Sequence, residues 1–152
     1  MATTDGETDG ETEDRRKLTQ EMVEKWLVER QELMVTYCQL AGLEAYPPGK
    51  PVKQLLRDFC QLLVDYIAFG HFEVYDRITS GSERRSDVVE VANRVYPRIS
   101  EVTEVAVAFN DKYDTSDHKQ PMDHLDDDLS NLGEELASRI DMEDQLVSAL
   151  IR

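Results

Sequence analysis

The chain has 152 residues, which suits one domain, and carries 32 acidic against 17 basic residues for a net charge of -15. That balance excludes holding DNA or RNA by its phosphates, which needs a basic surface. It also leaves no polybasic segment for anionic lipid, whereas a basic protein partner would be attracted and steered.

The charge is unevenly spread. Residues 1–14 hold six acids and no bases, residues 121–152 nine acids and two bases, and the middle 17 acids and 15 bases. Cys38 and Cys60, the two cysteines, lack CxxC or zinc-like spacing and read as reduced core thiols. No apolar run reaches the roughly 18–20 residues that span a membrane. The start lacks the basic-then-apolar order of a signal peptide, so a cytoplasmic protein is expected.

Along the chain, 1–14 comes first, with Thr4-Asp-Gly-Glu and Thr8-Asp-Gly-Glu in tandem and almost nothing apolar. It reads as a disordered acidic tail ahead of a helical domain over 15–152. Its Asp5, Glu7 and Asp9 are spaced as in a calcium loop. Arg16, however, stands where that loop needs a bidentate Glu, so no calcium is expected. Three breaker clusters follow: Pro47 to Pro51, Ser80 to Ser82, and Thr115 to Pro121. They separate four segments of helical periodicity, about 16–42, 52–79, 86–114 and 122–151. The apolar stripes are Leu18, Met22, Trp26, Leu33, Tyr37 and Leu40; then Leu56, Phe59, Leu63, Tyr66, Ile67, Gly70, Val74 and Ile78; then Val88, Val91, Ala92, Val95, Ile99, Val102, Ala106, Phe109 and Tyr113; then Leu125, Leu129, Leu132, Leu136, Ile140, Leu146, Val147 and Leu150. The expected fold is all-α, an up-down-up-down four-helix bundle with short loops. Pro97 predicts a kink or break in the third helix.

Catalytic motifs are missing: the chain has no GxGxxG, GxxxxGK[ST], GxSxG or HExxH. No enzyme, cofactor or metal is expected. His118 and His124 flank a loop and read as solvated. His71 lies mid-helix, where a bundle can carry a phosphate-accepting histidine. Asp65, Glu73 and Asp76 nearby would repel a phosphohistidine, so a packed or hydrogen-bonded role is favoured. Asp126, Asp127 and Asp128 start the last helix, where the positive end of its dipole favours acids.

The second helix is the informative stretch. At 100° per residue, Asp58, Gln61, Asp65, Phe69, Phe72 and Asp76 fall within about 60° of one line opposite the core face. Acids alternating with aromatics suit a partner that is basic and apolar at once. The alternative is a helix packed on several sides whose aspartates cap or pair internally. Gly70 in the middle predicts a close helix contact.

Residues 58–76, Asp58-Phe-Cys-Gln-Leu-Leu-Val-Asp-Tyr-Ile-Ala-Phe-Gly-His-Phe-Glu-Val-Tyr-Asp76, resemble the regulator of sigma D (Rsd/AlgQ) family. Supporting matches are Trp26 to Cys38, Tyr96-Pro-Arg-Ile99 and Leu129-Ser-Asn-Leu-Gly-Glu-Glu-Leu136, so the resemblance covers about 16–150. It implies an all-helical anti-sigma factor. Such a protein binds the carboxy-terminal, -35-recognising region of the primary sigma factor. It blocks that region's contacts with DNA and core RNA polymerase, regulating transcription in stationary phase. The family's sigma-contacting Asp and Phe fall on Asp65 and Phe72. Phe69 is large where the family has small residues, and the 1–14 repeat lies outside its pattern. The expected partner-binding set is Asp58, Gln61, Asp65, Phe69, Phe72 and Asp76. The chain is expected to be a monomer when free and to form a one-to-one complex with sigma, with no direct nucleic acid or membrane contact. The alternatives are a histidine phosphotransfer bundle using His71 and a generic helical adaptor for another basic protein.

Overall fold

The computed structural model describes residues 2–114 and 122–152. The helices are α1 (Ala2–Leu40), α2 (Val52–Ala68), α3 (Ser86–Tyr113) and α4 (Leu125–Leu150), with no strand among the described residues. From α2 the chain continues into two π-helical segments, Phe69–Tyr75 and Ile78–Ser82. The third breaker cluster and His118 lie outside the described residues.

Cross-helix contacts fix the topology. Tyr37 packs on Phe59 and Trp26 on Tyr75, so α1 and α2 run antiparallel. Phe59 meets Phe109 and Tyr75 meets Tyr96, which sets α2 against α3 in the same sense. Lys112 bonds Asp128 near one end of α3 and Arg85 bonds the Leu150 carbonyl near the other, so α4 reverses again. The ring closes where Tyr37 bonds the Leu129 carbonyl and Arg30 pairs with Asp144. The bundle is therefore up-down-up-down, as the periodicity predicts.

The reason lies in the spacing. Buried α3 positions are Val88, Ala92, Val95, Ile99, Val102, Ala106, Phe109 and Tyr113, alternating four and three apart. That spacing is the seam that lets helices pack nearly antiparallel. α1 repeats it with Thr19, Val23, Trp26, Leu33 and Leu40. Leu18, expected in this stripe, is instead 54% exposed.

α1 begins at Ala2, and Gly10, Glu11, Glu13 and Asp14 along it are exposed. One expectation changes: α3 runs through Pro97 without a break. Asn93, whose carbonyl loses its donor, is exposed with Pro97. Water can satisfy that carbonyl.

The core is not wholly apolar. Arg139 and Glu143 of α4 are 1% and 0% exposed and bridge at 2.9 Å. Tyr66 donates its hydroxyl to Glu143, Arg139 donates to Thr103 at 2.9 Å, and Arg30 lies 3.7 Å from Glu143. Each helix thus sends one or more polar groups to a single level of the bundle. Burial pushes the Glu143 carboxyl up, against the pull of Arg139, Tyr66 and Arg30. Both thiols are free, with Cys60 buried and Cys38 half-buried. Burial pushes the Cys60 thiol up to about 12.

Candidate functional site

α2 starts after Pro51, whose ring fixes an extended entry, and its buried face is Leu55, Leu56, Phe59, Cys60, Leu63 and Tyr66. Past Ala68 the hydrogen bonds lengthen to i→i+5, as from the Asp76 amide to the His71 carbonyl. Such widened turns are rare and recur at functional sites. Gly70 sits at their start. A Cβ there would lie 2.9 Å from Arg139 Nη2 and 3.5 Å from Trp26 Nε1. The close contact predicted for Gly70 is therefore to the buried arginine and to Trp26. The run ends at Gly81, whose φ of 93° lies in the left-handed region that glycine adopts without strain. Gly70, Val74 and Ile78 stay inside as the wheel predicts, and Tyr75 joins them.

All six predicted partner-binding residues reach the surface, but the structure divides them. Asp58 is tied to Lys50 at 2.8 Å and accepts from Gln54 at 2.8 Å. The Lys50 hydrogen bond holds its carboxyl below the usual range. The internal-pairing reading thus fits Asp58. Gln61 donates to Asp65 at 3.0 Å, and both are exposed. Across from Asp65, the Glu29 carboxyl on α1 is held high by burial and by Asp65 itself, against Lys25.

Phe69, Phe72 and Asp76 come together one to three turns further on. With Leu18, Met22 and Lys25 of α1 they line a groove of about 450 Å³. Lys25 Nζ stands 5.1 Å above the Phe69 ring, a cation–π contact. Phe72 is 65% exposed, the most solvent-open phenylalanine among the described residues. Its other side faces a second groove of about 310 Å³ between α2 and α3, lined by Leu63, Val64, Ile67, Ala106 and Val107. Phe72 is thus a ridge between a charged groove and an apolar one.

The wheel of one helix could not show the α1 wall, because Leu18, Met22 and Lys25 come from another element. Nor could it show that Lys25 and Glu21 of α1 add charge to Glu73, Asp76 and Arg77 there. His71 differs from expectation. It is exposed, with its ring edge-on to Phe72 at 4.8 Å, and not packed in the core. The π-turn leaves its side chain outside the bundle while Gly70 takes the inward position. His124 precedes α4 and is exposed. Asp128 accepts from Lys112 at 2.7 Å and from the Tyr113 hydroxyl, so one acid of the Asp126–Asp128 run ties α4 to α3. Among the described residues no helix is long and apolar enough to cross a membrane.

A family model described as "Regulator of RNA polymerase sigma(70) subunit, Rsd/AlgQ" matches residues 7–151. The chain belongs to this family. Relatives named "Regulator of sigma D" include one from Yersinia enterocolitica, 35% identical over 139 residues, which are 84% of this chain and 78% of that one. Another, from Yersinia pseudotuberculosis, is 33% identical over 144 residues, with the same coverage. A third, from Salmonella paratyphi A, is 35% identical over 136 residues, 83% of this chain and 79% of the other. No solved structure matches the chain.

Proposed function

We propose that the chain is an anti-sigma factor that binds the carboxy-terminal, -35-recognising region of the primary sigma factor one-to-one. In doing so it keeps that region from DNA and core RNA polymerase. The observation that carries this reading is Phe72, 65% exposed between two grooves and bordered by acids on its own helix and on α1. An exposed aromatic flanked by grooves is the form of an interface anchor. The acids around it would select a basic surface and hasten encounter, and a helix-turn-helix that binds DNA is such a surface. Phe69, Asp76 and the α1 residues Leu18, Met22 and Lys25 complete the contact. Asp65 and Gln61 extend it along α2. Asp58, already paired to Lys50, contributes least.

The proposed occlusion is steric and electrostatic. A protein seated on the Phe72 ridge covers the partner's basic face, and the net charge of -15 repels DNA from the complex. No bond is made or broken, so the chain needs no catalytic group. Regulation of sigma in stationary phase fits such reversible sequestration. The test is in vitro transcription from a -35-dependent promoter with primary-sigma holoenzyme. Wild-type protein represses it, and Phe72→Ala with Asp65→Ala does not. Equal repression by the double variant contradicts the site, and absence of repression or sigma binding by the wild type contradicts the function.

A further inference from the structure

At the end of the bundle where α1 begins and α4 ends lies a cavity of about 680 Å³. Six of the chain's 17 bases line it: Arg15, Arg16, Arg77, Arg84, Arg85 and Arg152. Arg15 and Arg16 come from α1, Arg77 from the junction between the two π-segments, Arg84 and Arg85 from the turn before α3, and Arg152 follows α4. Only Glu11, Glu24 and Glu83 face them, in a protein with nearly twice as many acids as bases.

Two of these arginines are fixed by the fold. Arg85 bonds Glu83 at 3.1 Å and the Leu150 carbonyl at 3.0 Å, tying α3's start to α4's end. Its hydrogen bonds hold the Glu83 carboxyl below its ordinary range against burial, so that acid is already committed. Arg77 donates to the Met22 sulfur at 3.8 Å. The other four differ. Among the described residues, no carboxylate lies within ion-pair distance of Arg15, Arg16, Arg84 or Arg152. Like charges converging on one cavity repel, and among the described residues six arginines there face three glutamates.

We propose that this cavity binds an organic polyphosphate of nucleotide size. Guanidinium groups present paired donors that match phosphate oxygens bidentately, and several arginines around a small volume suit a ligand with several charges close together. The volume lies within the range of small-molecule sites. Val23, Leu150 and Ile151 give the cavity an apolar side against which a ring can rest. A long nucleic acid is excluded by the acidic remainder of the surface; a compact ligand is not. The site is separate from the Phe72 ridge and does not depend on the proposed function, although Arg77 borders both.

The experiment is calorimetric titration of the full chain, in low-salt buffer without magnesium, with ATP, inorganic tripolyphosphate and adenosine. ATP and tripolyphosphate bind saturably below millimolar concentration, ATP more tightly, and adenosine does not bind. Arg16→Gln, Arg84→Gln and Arg152→Gln, all at exposed positions, leave the circular dichroism spectrum unchanged. Combined, they weaken ATP by about tenfold or more, the loss expected when charge-assisted contacts go. Phe72→Ala leaves ATP affinity unchanged. No binding at millimolar probe, equal binding by the triple variant, or an equal loss in Phe72→Ala overturns the proposal.

Discussion

Gly70→Ala puts the packing beneath the candidate site under direct test. Elsewhere in a helix this substitution gains about 1 kcal/mol. Here the new Cβ would stand 2.9 Å from Arg139 Nη2, closer than such contacts allow. The guanidinium cannot swing aside freely. It is 1% exposed and held at 2.9 Å by Glu143 through Nε and at 2.9 Å by Thr103 through Nη1. Trp26 Nε1, 3.5 Å from the same Cβ, blocks the other side. Overpacking of this kind costs about 1–3 kcal/mol, and disturbing a buried bridge adds to it. The net result is a loss of about 1–2 kcal/mol, a fall in Tm of roughly 2–8 °C for a chain of this size. Thermal unfolding followed by circular dichroism reads it. Gly10→Ala is the control, since nothing lies within 4 Å of its Cβ, and it leaves Tm equal or slightly higher. A Gly70→Ala protein as stable as the wild type would refute the reasoning.

Glu143→Ala leaves Arg139 charged, buried and unpaired, and lowers unfolding free energy in urea by about 3–5 kcal/mol; Arg139→Leu with Glu143→Leu recovers most of it. A single variant as stable as the wild type would contradict the buried bridge. In native protein an aromatic disulfide reagent labels Cys38 well before Cys60, whose buried thiol has its pKa near 12; equal rates would contradict that burial. Asp128 titrates below an ordinary aspartate because Lys112 and Tyr113 donate to its carboxylate. For an acid whose folded pKa is depressed, the stabilisation is present above the unfolded value and is lost as pH falls through the folded one. Carboxyl NMR titration checks this, and Lys112→Met moves the midpoint up.

The four helices, their faces and their antiparallel order were legible because apolar residues recur every three or four positions. The polar core was half legible. The α4 stripe runs Leu136, Ile140, Leu146 in sequence, but the buried positions between Leu136 and Leu146 are Arg139 and Glu143. A charged pair there reads as surface until a partner such as Tyr66 on another helix is known. The π-turns at Phe69–Tyr75 were not legible, since i→i+5 bonding leaves no composition of its own and Gly70 signals only close approach. The proposal of Asp65, Phe69 and Phe72 comes from one helix's periodicity, and the family resemblance adds to it only at Asp65 and Phe72. Leu18, Met22 and Lys25 became neighbours only through the packing of α1 on the π-turn.

The most direct test is the affinity of this chain for the isolated carboxy-terminal domain of a primary sigma factor, by calorimetry at fixed salt. The account predicts a one-to-one complex. It also predicts that Phe72→Ala weakens the complex about tenfold or more at unchanged Tm, as removal of an exposed anchor should. Undiminished affinity in Phe72→Ala, or no complex with the wild-type chain, would contradict it.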